Sequence, residues 1–203
     1  MATTPFYAPM ALPQLVLLDR DGVINFDSPD YIKSPEEWRA LPGALAAIAR
    51  LNQAGVRVGI CSNQSGVGRG LFDATTLAAI HRKLFDELQA AGGHIDHLGI
   101  CPHTPEDQCY CRKPQPGLLL DALQRCQGDA AATLFIGDSL RDLQAAAAAG
   151  VRGILVRTGN GGATEALLSS QPVTAAAIYD DLGAAVDALL SSGSGALSAQ
   201  RSP

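Results

Sequence analysis

Asp19 and Asp21 stand two residues apart, just after the apolar run Leu15-Val16-Leu17-Leu18 and just before Gly22. A short uncharged run of this kind reads as a buried strand. Its end would deliver two carboxylates to the crevice in which open α/β sheets bind their ligands. Successive strand residues point opposite ways, yet the Asp21-Gly22 turn lets Asp21 swing back toward the side that Asp19 lines. One acid is then available as a nucleophile and the other as a proton donor. Taken alone, the same residues also describe a strand end followed by a solvated Asp-Gly turn.

Three further stations follow later apolar runs. After Val56 to Cys61 come Ser62, Asn63, Gln64, Ser65 and Gly66, where the Ser62 hydroxyl and the backbone amides beyond it suit a phosphate oxygen. Arg112 and Lys113 supply adjacent cations ahead of Pro114, a pairing that a solvated surface also produces. Thr133 to Gly137 runs into Asp138 at a helix start, where a carboxylate serves as a cap or as a ligand. Asp142 lies one turn along the same helix face.

Cys101, His103, Cys109 and Cys111 form two i, i+2 pairs separated by five residues. In extended backbone such pairs share a face, so each is a pincer and the turn between them brings the pincers together. Three thiolates and an imidazole complete a tetrahedron suited to Zn²⁺, with no open position for water, so the zinc is expected to be structural. The loop runs directly into Arg112 and Lys113 and would aim them. With five cysteines and no secretory signal, a disulfide framework is the weaker reading. Cys61 and Cys126 lie in apolar segments and read as buried, inert thiols.

The order Asp-x-Asp, Ser, Lys, Gly-Asp-x-x-x-Asp resembles the haloacid-dehalogenase-like (HAD-like) hydrolase superfamily across residues 19–142. The resemblance implies an α/β fold with a doubly wound, mainly parallel sheet, and a Mg²⁺-dependent phosphatase. It implies that Asp19 takes the phosphoryl group, and that Asp21 protonates the leaving alkoxide and then deprotonates water. Lys113 and Ser62 would hold the transferring oxygens. Asp19, the Asp21 backbone carbonyl and Asp138 would ligate Mg²⁺, an ion that favours carboxylate and water oxygens. Asp142 and Ser139 would stand behind those ligands, although a solvated helix acid equally explains Asp142.

Within the superfamily, Asp19 to Asn25, Asn63 to Gly70 and the run from Cys101 to Pro114 resemble the heptose-1,7-bisphosphate 7-phosphatases. Histidinol-phosphate phosphatases share the zinc loop and are the alternative; a catalytically silent scaffold that uses the loop to bind a protein is another. The heptose resemblance implies substrate contacts from Asp27, Ser28, Pro29 and Asp30, from Ser62, Asn63, Gln64 and Ser65, and from Arg112 and Lys113. It also implies a role in supplying activated heptose for surface polysaccharide. Ser139 stands where some relatives carry a lysine, which would remove one cationic contact.

A chain of 203 residues, 47% hydrophobic, fits one domain with a real core. The expected division is an uncharged arm at 1–13, a phosphatase domain at 14–190 and a flexible Ser/Gly-rich tail at 191–203. Strands are expected near 15–19, 56–61, 96–101, 133–137, 152–157 and 176–179. Helices are expected from Gly43 to Gly55, Asp73 to Ala91, Pro116 onward, Asp138 to Ala149 and Asp181 to Leu190. Asn25 to Pro42 is too short for a large cap domain, and Gly66 to Cys101 is filled by one amphipathic helix and one strand, so loops must form the lid. Gly159-Asn160-Gly161-Gly162 reads as a flexible connection, and His81 as a residue of an exposed or boundary helix face. Trp38 and Tyr31 read as anchors of the loop beside the site. A net charge of −5 speaks against nucleic-acid and anionic-membrane partners. No apolar segment reaches membrane-spanning length. The expected protein is a cytoplasmic monomer whose partner is a small sugar phosphate.

Overall fold

The computed structural model describes residues 12–197, with side chains described as far as residue 191. Most of the expected arm (1–13), and the expected tail (191–203) beyond residue 197, thus lie outside the described residues. Six strands form one sheet in the order β3-β2-β1-β4-β5-β6, and every neighbouring pair is parallel. They are β1 Leu15–Leu18, β2 Arg57–Asn63, β3 His97–Cys101, β4 Thr133–Gly137, β5 Arg152–Val156 and β6 Ala177–Tyr179. The connecting helices are α1 Ala44–Gln53, α2 Ser65–Gly68, α3 Ala74–Ala90, α4 Gly117–Arg125, α5 Leu140–Ala148, α6 Gly161–Leu167 and α7 Leu182–Leu197.

Both faces of the sheet are covered because β1, at its centre, is apolar and buried at every position. Val16 and Leu18 of β1 face one way, onto a core completed by α1, α3 and α7. Leu15 and Leu17 face the other way, toward α4 and α5. This two-residue alternation buried on both sides is why the strands read as continuous apolar runs. No inserted cap domain interrupts the layers, as the segment lengths predicted.

β1 pairs with β2 on one side and β4 on the other, so the chain reverses its winding there. The crevice beyond the C-terminal ends of β1 and β4 is the topological switch point, where doubly wound sheets bind ligands. Register aligns Leu18 with Ile136, which sets Asp19 beside the end of β4 and Asp138 beside the end of β1.

Three expectations need correction. β2 continues to Asn63, so Ser62 and Asn63 belong to the strand and not to the loop after it. The glycine run at 159–162 is no flexible connection, because α6 begins at Gly161. The last helix extends past Leu190 to Leu197.

Candidate active site

Asp19 leaves β1 with its backbone N–H still donating to Ile136 at 2.9 Å, which ties it to β4. Lys113 Nζ lies 2.9 Å from Asp19 Oδ1 and 2.6 Å from Asp142 Oδ1, and the lysine is only 2% exposed. Burial pushes the Asp19 carboxyl up to about 8; Lys113 opposes this, while Asp142, Asp138 and Asp21 add repulsion. Burial likewise drives Asp138 up to about 6, although the backbone N–H of Asn160 works against it. Lys113 moves upward because Asp142 and Asp19 outweigh the cost of its burial.

Oxygens of Asp19, Asp138 and Asp142 all lie within 4.8 Å of one another. One lysine among three carboxylates leaves the cluster short of positive charge. A hard divalent cation with oxygen ligands would supply the deficit, so the residues fit Mg²⁺. Asp142 is already engaged: Oδ2 accepts from the Ser139 backbone N–H at 3.0 Å and from its hydroxyl at 2.6 Å, while Oδ1 faces Lys113. This capping box starts α5 and places Asp142 behind the crevice, not on a solvated helix face.

Gly22 permits the crowding. Its φ of +80° falls in the left-handed region, and a Cβ there would overlap the Asp138 carboxylate. Gly159 packs beside Gly22 against the same carboxylate, and Asn160 then donates its backbone N–H to Asp138 Oδ2 at 2.8 Å.

Asp21 does turn back from the strand, but into a net of donors. Arg20 Nη2 lies 2.9 Å from each of its oxygens, Asn25 donates at 2.8 Å and Gln64 at 2.7 Å. Burial pushes its carboxyl up, yet Arg20 and these hydrogen bonds prevail and hold it below the usual range.

The Asn63-Gln64 pair, expected to contact substrate, is largely spent on positioning. Asn63 brackets the backbone of Lys113, accepting from its N–H at 3.1 Å and donating to its carbonyl at 3.0 Å. Gln64 accepts from Arg20 while its amide nitrogen serves both Asp21 and Ser62. Ser62 is 1% exposed and sits with Lys113 behind the cleft lining.

The cleft itself encloses about 230 Å³. Asp19, Asp21, Asp138 and Ser139 line its catalytic end, with Asn63, Gln64, Ser65 and Arg112 on one wall. Asp27, Ser28 and Pro29 approach from the loop after β1, where Asp27 accepts from Asn160 Nδ2 at 3.0 Å. Asp30 departs from expectation: it lines a neighbouring groove, its carbonyl held by Lys33 Nζ at 2.7 Å. Tyr31 takes its place on the cleft, in a left-handed conformation with φ 65°. Trp38 is fully buried beneath this loop, as expected of an anchor.

Three site residues carry no role in the sequence reading. Arg20 was passed over between two acids, although a basic residue in an otherwise apolar strand end signals an internal partner. Asn160 was hidden in a glycine run, whose density was itself the sign of close packing. Arg141 lines the cleft from the first turn of α5 and carried no signal, while Tyr31, expected as a loop anchor, lines the cleft as well. His81 also corrects an expectation, being only 6% exposed and facing Arg20.

Cys101, His103, Cys109 and Cys111 converge beside the cleft. Their sulfurs lie 3.3–3.6 Å apart, and His103 Nδ1 is 3.6 Å from Cys101 and 3.3 Å from Cys111. Tetrahedral Zn–S bonds of about 2.3 Å imply sulfur separations of roughly 3.8 Å, so the cluster is one a zinc ion can occupy. Arg112 donates to the His103 carbonyl at 3.1 Å, which couples the loop to the cleft wall. All five cysteines are free thiols, with Cys61 and Cys126 buried as expected.

A HAD-hydrolase-like family model matches residues 110–185. A D-glycero-β-D-manno-heptose-1,7-bisphosphate 7-phosphatase of Bordetella bronchiseptica is 50% identical over 177 residues, covering 87% of this chain and 98% of that one. Its counterpart in Pseudomonas aeruginosa is 44% identical, covering 87% and 97%. The crystal structure of the D,D-heptose 1,7-bisphosphate phosphatase of B. bronchiseptica, complexed with magnesium and phosphate, superposes with a TM-score of 0.83, covering 88% of this chain and 98% of that one. With this likeness over nearly the whole length of its relatives, and with two acids, a lysine and a further acid gathered at the switch point, the chain belongs to the heptose-1,7-bisphosphate 7-phosphatase family of HAD-like phosphoric monoester hydrolases.

Proposed function

We propose that this chain hydrolyses the 7-phosphate of D-glycero-β-D-manno-heptose 1,7-bisphosphate with Mg²⁺, through a phosphoryl group carried on Asp19. The observation that carries the reading is Asp19 itself, set against Lys113 at the mouth of a cleft closed by Asp138. The β anomer follows the names of the relatives at 50% and 44% identity. A bisphosphate suits the cleft because Arg112 and Arg141 both line it, a second cationic station apart from Lys113.

In the first half-reaction the Asp19 carboxylate attacks phosphorus, and the sugar oxygen leaves with a proton from Asp21. Asp21 rests as a carboxylate; the negative charge of an arriving phosphate raises its proton affinity, so that it takes up a proton from solvent as substrate binds and passes it to the leaving oxygen. In the second half Asp21 takes a proton from water, which attacks the phosphoryl group and releases Asp19. Lys113 offsets charge on the transferring oxygens. Ser62 accepts from Gln64 and so keeps its hydroxyl proton for a phosphoryl oxygen. Asp19, Asp138 and the Asp21 carbonyl would hold Mg²⁺, which when bound neutralises the repulsion between an anionic nucleophile and a dianionic phosphate.

The reading asks for no second copy of the chain, and a monomer is its working unit. A cluster whose thiolates are kept for metal suits a reducing compartment, the cytoplasm. Among the described residues no helix is long and apolar enough to cross a membrane. Placement in the supply of activated heptose for surface polysaccharide follows from the same reading.

The test is phosphate release with Mg²⁺ from the α- and β-heptose 1,7-bisphosphates and from histidinol phosphate, compared side by side. Preference for the β-heptose supports the proposal, and preference for histidinol phosphate overturns the substrate. Release that persists in Asp19→Asn overturns the mechanism.

A further inference from the structure

Arg20 has no part in the bond-making steps, yet it is completely buried at the heart of the site. Its Nε and Nη2 donate to Asp21 at 3.0 and 2.9 Å, and Nη2 also reaches Gln64 Oε1 at 3.0 Å. The remaining edge of the guanidinium, Nη1, faces Nε2 of His81 at 3.3 Å. An arginine is always a donor, so the ring nitrogen must accept, which requires a neutral imidazole with its hydrogen on Nδ1. Burial first, and then the charge of Arg20, push His81 down to about 4 and keep the ring in that form.

We propose that His81 is a positioning residue for proton transfer: it fixes the plane of the Arg20 guanidinium, and the guanidinium fixes the Asp21 carboxylate. The inference rests on the role given to Asp21 above. Asp21 sits on a turn, and its carboxylate can rotate about its own side chain. Two donors from Arg20 hold that rotation only as well as the guanidinium itself is held. His81 comes from α3, whose neighbouring Ile80 and Leu84 are fully buried in the main core. The path α3, His81, Arg20, Asp21 therefore carries the rigidity of a core helix to a residue on a loop, with Gln64 as a second brace. A purely structural buried hydrogen bond would act on stability alone.

His81→Leu removes the acceptor with little change in bulk, and His81→Gln restores one. Steady-state kinetics use β-heptose 1,7-bisphosphate, with p-nitrophenyl phosphate in parallel so that an unforeseen substrate preference does not remove the readout. Expected is a fall of about tenfold to a hundredfold in kcat for His81→Leu, with KM changed by less than about twofold. His81→Gln should recover most of the loss. In an Asp21→Asn background, His81→Leu should have no further effect, because its only route to the chemistry is gone. Undiminished kcat in folded His81→Leu, or an equal loss in the Asp21→Asn background, overturns the proposal. So does full kcat in Asp21→Asn alone, which would overturn the assignment of Asp21 first. Should His81→Leu fail to fold, His81→Asn, too short to reach Nη1, makes the same comparison with His81→Gln.

Discussion

Asp19 combines two properties that the site must keep apart. It is buried among like charges, which raises its proton affinity, yet as the proposed nucleophile it must be ionised. Lys113 at 2.9 Å opposes the rise, and a cation held there would complete the balance. Asp19→Asn keeps the shape and removes the charge, so it should leave the fold intact, measured by far-UV circular dichroism, while phosphate release falls to background. His81 makes a different prediction, about stability. Its folded value of about 4 lies below the ordinary 6.5, so between those pH values the unfolded chain binds more protons. Its contribution is intact above pH 6.5 and is lost as pH falls toward 4, by a total of about 3 kcal/mol. Urea midpoints measured from pH 7 to pH 4 should fall more steeply for the wild type than for His81→Gln; parallel curves would contradict this.

The zinc-type loop between β3 and α4 is the element with least core of its own. Among its residues only Cys101 and Lys113 are buried. Its order depends on the Cys₃His cluster and on hydrogen bonds such as Arg112 to the His103 carbonyl and Asn63 to the Lys113 backbone. Metal sites of this kind contribute about 10–16 kcal/mol in peptides, ample to hold such a loop. Cys109→Ser should therefore release zinc and weaken phosphate binding together, read by metal analysis and by the inhibition constant of inorganic phosphate. Loss of zinc with unchanged inhibition would show that the loop does not position Arg112 and Lys113.

Across the whole molecule, the acidic cluster exists only when β1, β4 and α5 are assembled, since Asp19 and Asp142 are over a hundred positions apart in the chain. A cation bound there is linked to folding. Mg²⁺ at a hundred times its dissociation constant should stabilise by about 2.7 kcal/mol. Thermal melts with and without Mg²⁺ should show the upward shift in the wild type and lose it in Asp138→Asn. An equal shift in that variant would place the ion elsewhere.

The sequence by itself determined the strand order of events: apolar runs ending in Asp19, Ser62 and Asp138, the pincers of the Cys₃His loop, and the absence of room for a cap. Those features are local, written in spacing and period, and the fold retains them. Only the tertiary structure decided which polar groups face the cleft and which hold the others in place. The resemblance implies substrate contacts from Asn63 and Gln64, and both line the cleft, but their hydrogen-bond partners, Lys113, Arg20 and Asp21, are set by packing across the sheet. Tyr31 and not Asp30 lines the cleft, on a loop whose left-handed Tyr31 no periodicity reports. Arg20 and His81 are 61 residues apart and meet only because α3 packs over the end of β1. A buried charge acquires its meaning from its partner, and partners distant in sequence are chosen by the fold.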